Sequence, residues 1–120
     1  MSDHAHLATD YIAAWNETDA GKRQAMIEKV FAADVEYRDP VMQGDGHAAI
    51  GALIAGVHER FPGFRFTLKG DAAGFADRLR FSWTLGPDGI EAPIEGTDFV
   101  EIAEGRMARV TGFLDKVPAQ

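Results

Sequence analysis

From Phe64 onward the apolar residues recur at every second position, whereas before it they recur at every third or fourth. These are the periods of strands and helices, so the chain divides into a helical first half and a stranded second half. Phe64 to Lys69 alternates, and so does Asp77 to Leu85, with Leu79, Phe81, Trp83 and Leu85 on one face and Arg78, Arg80, Ser82 and Thr84 on the other. Gly86-Pro87-Asp88-Gly89 predicts a hairpin turn into a strand from Ile90 to Ala103, in which Pro93 and Gly96 mark a bulge or bend. Glu104-Gly105 turns the chain into a last strand, Arg106 to Lys116. The second half therefore predicts a four-strand antiparallel meander.

The first half predicts three helices. The first spans about residues 3–16, capped by Ser2 or Asp3, with Leu7, Tyr11, Ala14 and Trp15 on one stripe and Ile12 flanking it. The second runs from about 20 to 31 behind Asp19 as N-cap and buries Met26, Ile27, Val30 and Phe31. Gln43-Gly44-Asp45-Gly46 reads as a loop, and the third helix runs from about 46 to 61 with Asp45 as its cap. Its stripe is Ile50, Leu53, Ile54, Val57 and Phe61, Gly51 and Gly56 permit close backbone approach, and Pro62-Gly63 ends it. Helices followed by strands specify an α+β layer fold: a curved antiparallel sheet packed on three N-terminal helices, with room for a small-molecule cavity on the concave side.

Between the second and third helices, Val35 to Met42 reads as a short strand stopped by Pro40. Val35, Tyr37 and Asp39 share a face, which puts a carboxylate at the end of an otherwise apolar row. A bare carboxylate there must find partners, neutralise, or stand at a cavity mouth. The last option makes Asp39 a candidate proton-transfer base. Two more polar groups keep apolar company: Tyr11 in the first helix's stripe, and Asp98, which shares its strand face with Val100 and Ile102. Each has a structural alternative. Asp39 is free to tie down a turn by accepting backbone N–H bonds, Asp98 to pair with Arg80 or Arg109, and Tyr11 to serve as a core tyrosine. Trp15, Tyr37, Phe61, Phe64, Phe81, Trp83 and Phe113 supply the aromatic surface; of these Trp15, Tyr37, Phe61, Trp83 and Phe113, with His58 beside the third stripe, are the candidates to line a pocket. His47, at a helix start, and His4 and His6, near the terminus, are poor candidates.

Composition narrows the function. At 120 residues the chain fits one domain, residues 1–120. A net charge of -7 supplies no basic field for nucleic acid or an anionic membrane. The absence of cysteine removes disulfides, thiolate metal sites and cysteine nucleophiles. No basic leader, long apolar span, H-E-x-x-H, P-loop or G-x-G-x-x-G motif is present. The expectation is a cytoplasmic protein without metal or organic cofactor.

In order and spacing, Tyr11-Ile12-Ala13-Ala14-Trp15-Asn16, Phe31-Ala32-Ala33-Asp34, Arg38-Asp39-Pro40-Val41, Phe61-Pro62-Gly63, and Gly96-Thr97-Asp98-Phe99 followed by Glu104-Gly105-Arg106 resemble the nuclear transport factor 2-like superfamily, in the branch of SnoaL-like polyketide cyclases and ketosteroid isomerases. The resemblance implies a cone-shaped α+β barrel with an apolar pocket, often a homodimer. It implies Asp39 as proton carrier, with Tyr11 and a protonated Asp98 as donors to an oxyanion. Ketosteroid isomerase is a standard case of a carboxylic acid kept neutral by an apolar site. The expected activity is cofactor-free isomerisation or aldol-type cyclisation of a small apolar carbonyl compound. A non-catalytic binding or dimerisation module, and a hydrolase in which the same acids activate water, are the alternatives.

Overall fold

The computed structural model describes residues 4–118. The proposed caps Ser2 and Asp3 lie outside them. Helix α1 (Ala5–Asn16) buries Leu7, Ala8, Tyr11, Ile12, Ala14 and Trp15, the expected stripe. Helix α2 (Ala20–Val30) starts at Asp19, whose carboxylate accepts from Lys22 N at 2.8 Å. Strand β1 (Phe31–Arg38) follows without a loop, then strand β2 (Gln43–Asp45) and helix α3 (His47–Arg60). Strands β3 (Phe64–Phe75), β4 (Arg78–Pro87), β5 (Ile94–Ala103) and β6 (Arg106–Lys116) form the meander.

The sheet order is β2-β1-β6-β5-β4-β3. All neighbours are antiparallel except β1 and β6, so the sheet is mixed rather than wholly antiparallel. It is curved and does not close. The inner face carries Val35 and Tyr37 of β1, Leu79, Phe81, Trp83 and Leu85 of β4, Val100 and Ile102 of β5, and Met107 and Val110 of β6. These join the helix stripes in one apolar core.

Several local expectations are corrected. Gln43–Asp45 is a strand, although it has no apolar alternation, because β1 supplies its pairing partner. Asp45 does not cap α3. Its carboxylate pairs with Arg38 Nη1 at 2.8 Å across the β1–β2 hairpin, and Gly46 stands at the N-cap. A Cβ on Gly51 would make only an ordinary contact with the Ile27 side chain at 3.7 Å, and one on Gly56 would meet nothing within 4 Å, so no close backbone approach requires either glycine.

The Asn16 side chain ties helix α1 to strand β3. Asn16 Nδ2 donates to Phe66 O, and Phe66 N donates to Asn16 Oδ1, both at 2.8 Å. The amide thus imitates a strand neighbour along the outer edge of β3, satisfying two backbone groups of a partly buried segment. Asn16→Ala leaves both without their partner. It is expected to lower stability by about 1–3 kcal/mol in urea unfolding, with Asn16→Asp, which restores only the acceptor, falling between Asn16→Ala and wild type.

Candidate functional site

Strand pairing brings Asp39 and Asp98 together, and helix α1 adds Tyr11. Asp98 of β5 stands opposite Phe81 of β4 and Gly112 of β6, and Asp39 follows Arg38, which pairs with Thr111 of β6. A Cβ on Gly112 would lie 2.8 Å from Asp98 Oδ1 and 3.2 Å from Asp39 Cβ. The two acids therefore flank one spot, and only glycine leaves it clear. Tyr11 reaches the same place from α1, its ring edge-on to Phe81 at 5.0 Å and 5.8 Å from Phe31.

Asp98 is 1 % exposed. Burial raises its pKa from 3.8 to about 6; Tyr11 and Trp83 are the side chains near enough to oppose that shift, and the charge of Asp39 adds to it. Neither Tyr11 nor Trp83 closes a well-formed hydrogen bond, however, and both carboxyl oxygens are buried without a partner. The geometry outweighs the opposing contacts here, since a hydrogen bond weakens steeply away from its preferred distance and angle. Buried carboxylates are costly in that condition, which is why the neutral acid is favoured. Tyr11 is held well above its usual pKa by burial and then by the charge of Asp98, so its hydroxyl remains a donor. The ion pair of Asp98 with Arg80 or Arg109, the structural alternative, does not form: Arg80 points to the other face of the sheet, and Arg109 pairs with Glu36 and Glu101.

Asp39 is half-buried at the end of β1. Its Oδ1 accepts from Val41 N at 2.8 Å and Met42 N at 2.9 Å, the turn-capping arrangement, while Oδ2 accepts from the Tyr37 hydroxyl at 2.7 Å. Tyr37 Oη is thus the one rotatable group on the carboxylate. The shared parity of Tyr37 and Asp39 was the sequence signal for that contact; Gly112 carried none beyond being a glycine inside a strand.

The remaining candidates divide. Trp15 is buried between Tyr11, Tyr37 and Phe66, with its indole N–H unpartnered. Trp83 is buried beside Asp98. His58 Nε2 donates to Trp15 O at 2.6 Å and so fastens α3 to the end of α1. Phe61 is partly buried at the end of α3, its ring 5.2 Å from that of Phe64. Phe113 is corrected outright. It is 51 % exposed on the outer face, packed edge-on against Phe99 at 5.7 Å. The cause is a bulge. Glu101 pairs with Arg109 but Ile102 with Met107, so β6 holds one extra residue there and the alternation after it is reversed. The reversal that turns Phe113 out turns Gly112 in. Two hollows of about 630 Å³ each open on the outer face, and Tyr11, Asp39 and Asp98 line neither. Among the described residues no three His, Asp or Glu side chains are grouped as metal ligands.

The raised pKa of Asp98 makes stability depend on pH. Between about 3.8 and 6 the folded chain holds a proton that the unfolded chain has lost, so stability falls as pH rises through that window. The shift corresponds to a penalty of about 3 kcal/mol once Asp98 is fully ionised. Asp98→Asn is expected to stabilise the protein by about 2–3 kcal/mol above that window and to change little near pH 4, measured as unfolding free energy at the two pH values. An equal effect at both would contradict this account of Asp98.

The SnoaL-like domain model matches residues 8–110, most of the chain. A candidate isomerase of the SnoaL-like family from Agrobacterium tumefaciens is 40 % identical with a TM-score of 0.90, covering 96 % of this chain and 99 % of its own. A candidate ketosteroid isomerase from Kribbella flavida superposes with a TM-score of 0.72 at 21 % identity, covering 98 % of this chain and 81 % of its own. A candidate polyketide cyclase from Sinorhizobium meliloti gives 0.71 at 17 %, covering 89 % and 93 %. At these last two identities the likeness is one of fold. No curated protein sequence matches the chain. The matched domain and the shared architecture agree with the element order derived above: this chain belongs to the SnoaL-like family, within the nuclear transport factor 2-like superfamily.

Proposed function

We propose that the chain catalyses cofactor-free proton transfer on a small apolar carbonyl compound, as isomerisation or aldol-type cyclisation. Asp39 removes the proton, and Tyr11 with protonated Asp98 donates to the oxygen that becomes negative. The observation that carries this reading is Asp98: a buried carboxyl group with two unpartnered oxygens and a pKa raised to about 6, beside a tyrosine that keeps its proton. An enolate oxygen arriving between them would take both hydrogen bonds and push Asp98 further toward its neutral form. The half-buried Asp39 end of the cluster is the side open to solvent, and a substrate entering there would have to part the Trp15 and Tyr37 rings.

One observation favours a non-catalytic binding module instead. Asp39 Oδ1 is committed to two backbone N–H groups and has a sufficient structural role without chemistry. Deuterium exchange at the α-carbons of 2-tetralone, followed by NMR, separates the two. Asp39→Asn is expected to slow exchange by about 10²–10⁴-fold and Tyr11→Phe by about 10–10³-fold. Exchange no faster than in buffer, with tetralone raising the melting temperature of wild type and Asp39→Asn alike, would establish the binder.

The family resemblance to homodimers finds support on the outer face. Phe99 and Phe113 form an exposed aromatic pair there, flanked by the two hollows. Apolar surface of this kind is commonly covered by a partner, and we propose a second copy. Sedimentation is expected to give a dimer, and Phe113→Glu a monomer with unchanged helical circular dichroism.

A further inference from the structure

The Tyr37 hydroxyl has two partners within reach. Toward solvent it donates to Asp39 Oδ2 at 2.7 Å. Toward the interior lies Tyr11, whose ring packs with that of Tyr37 on Trp15, at 6.0 and 5.9 Å between centroids, and whose hydroxyl is placed to donate to Tyr37 Oη; the charge of Asp98 also reaches Tyr37. A hydroxyl has one proton to donate. While Asp39 is an anion that proton belongs on Oδ2, since hydrogen bonds to a charged acceptor are roughly twice as strong as neutral ones.

We propose that Tyr37 is a positioning residue that switches its hydrogen bond between Asp39 and the Tyr11–Asp98 pair according to whether Asp39 carries a proton. The inference rests on the proposed function and deepens it. When Asp39 takes a proton from substrate, the proton lies on Oδ2, because Oδ1 is held by Val41 N and Met42 N. The new O–H then donates to Tyr37 Oη, the Tyr37 hydrogen rotates inward to donate to Tyr11 Oη, and the Tyr11 hydrogen turns from Tyr37 to the oxyanion. One proton crosses from carbon to Oδ2, the C–H electrons become the enolate, and Tyr37 keeps its own proton throughout. Burial and the charges of Asp98 and Asp39 raise the Tyr37 pKa well above its usual value, so the hydroxyl acts as a donor and not as an acid. The consequence is timing. Tyr11 gains a donor, and so becomes a better donor itself, at the moment when the oxyanion exists.

Asp39→Asn imitates the protonated state. Val41 N and Met42 N require the amide oxygen, so the amide nitrogen falls at the former Oδ2 and donates to Tyr37 Oη. The test is binding of 4-nitrophenolate, a stable oxyanion, titrated by its visible absorption in wild type, Asp39→Asn, Tyr37→Phe and the double variant. Asp39→Asn is expected to tighten binding at least about tenfold when Tyr37 is present and less than about twofold in the Tyr37→Phe background, by the same reckoning. Equal tightening in both backgrounds would reflect removal of a negative charge alone and would overturn the switch while leaving the oxyanion reading intact. Failure of all four proteins to bind the phenolate would overturn both. A second measurement leaves the hydroxyl in place: with ¹³C at tyrosine Cζ, Asp39→Asn is expected to shift the Tyr37 and Tyr11 signals together. A Tyr11 signal that stays put would also overturn the proposal.

Discussion

Everything about the site follows from the parallel pairing of β1 with β6. The two strands come from opposite ends of the chain, and their junction inserts β1 and its hairpin partner beside the meander. Without it Asp39 would hang from a two-stranded ribbon. With it, Asp39 and Asp98 lie on either side of Gly112, beneath the rings that α1 lays across the sheet. Parallel pairing of distant segments carries a high loop-closure cost, so the core must supply the compensation. Phe31, Val35, Met107 and Val110 do so, all essentially unexposed along this seam.

That seam explains the chemical contrast between the two acids. Asp39 ends its strand and turns toward backbone donors and a tyrosine hydroxyl. Asp98 is in mid-strand with Phe81 and Gly112 as cross-strand neighbours, neither of which offers a side-chain donor. The same residue type is thus an engaged carboxylate in one place and a group inclined to neutrality in the other. A proton-transfer site needs that asymmetry, one acid to receive and one to donate. Arranging it lowers stability, since a buried carboxyl with unfilled oxygens is less favourable than an apolar residue of its size.

Much of this was legible in the residues. The α3 stripe, the Asp19 cap and the alternation of β4 are local patterns, and local patterns survive folding unless something opposes them. Parity also put Tyr37 with Asp39, and Asp98 with Val100. What could not be read was register. The extra residue of β6 near Ala108 reverses the alternation as far as Leu114, and no composition cue marks that bulge; strict alternation from Met107 turns Phe113 inward and gives Gly112 no part in the site. β2 escaped notice for a related reason, being three residues whose strand character is conferred by β1 alone. The turn bonds of Asp39 were foreseen as an alternative to its chemical role, yet the structure has them on one oxygen and leaves the other to a tyrosine, so the two readings are compatible.

The Asn16 amide has a consequence beyond stability. An unclosed sheet exposes two ragged borders, each able to recruit a foreign strand and begin fibrous growth. At one border Asn16 occupies the Phe66 main-chain groups like a plug. At the other β2 is three residues long, too brief a ledge for a stranger to grip. With both borders blunted, edge-to-edge addition of one copy to the next is disfavoured, and the molecule keeps its open sheet without offering a template for a fibre.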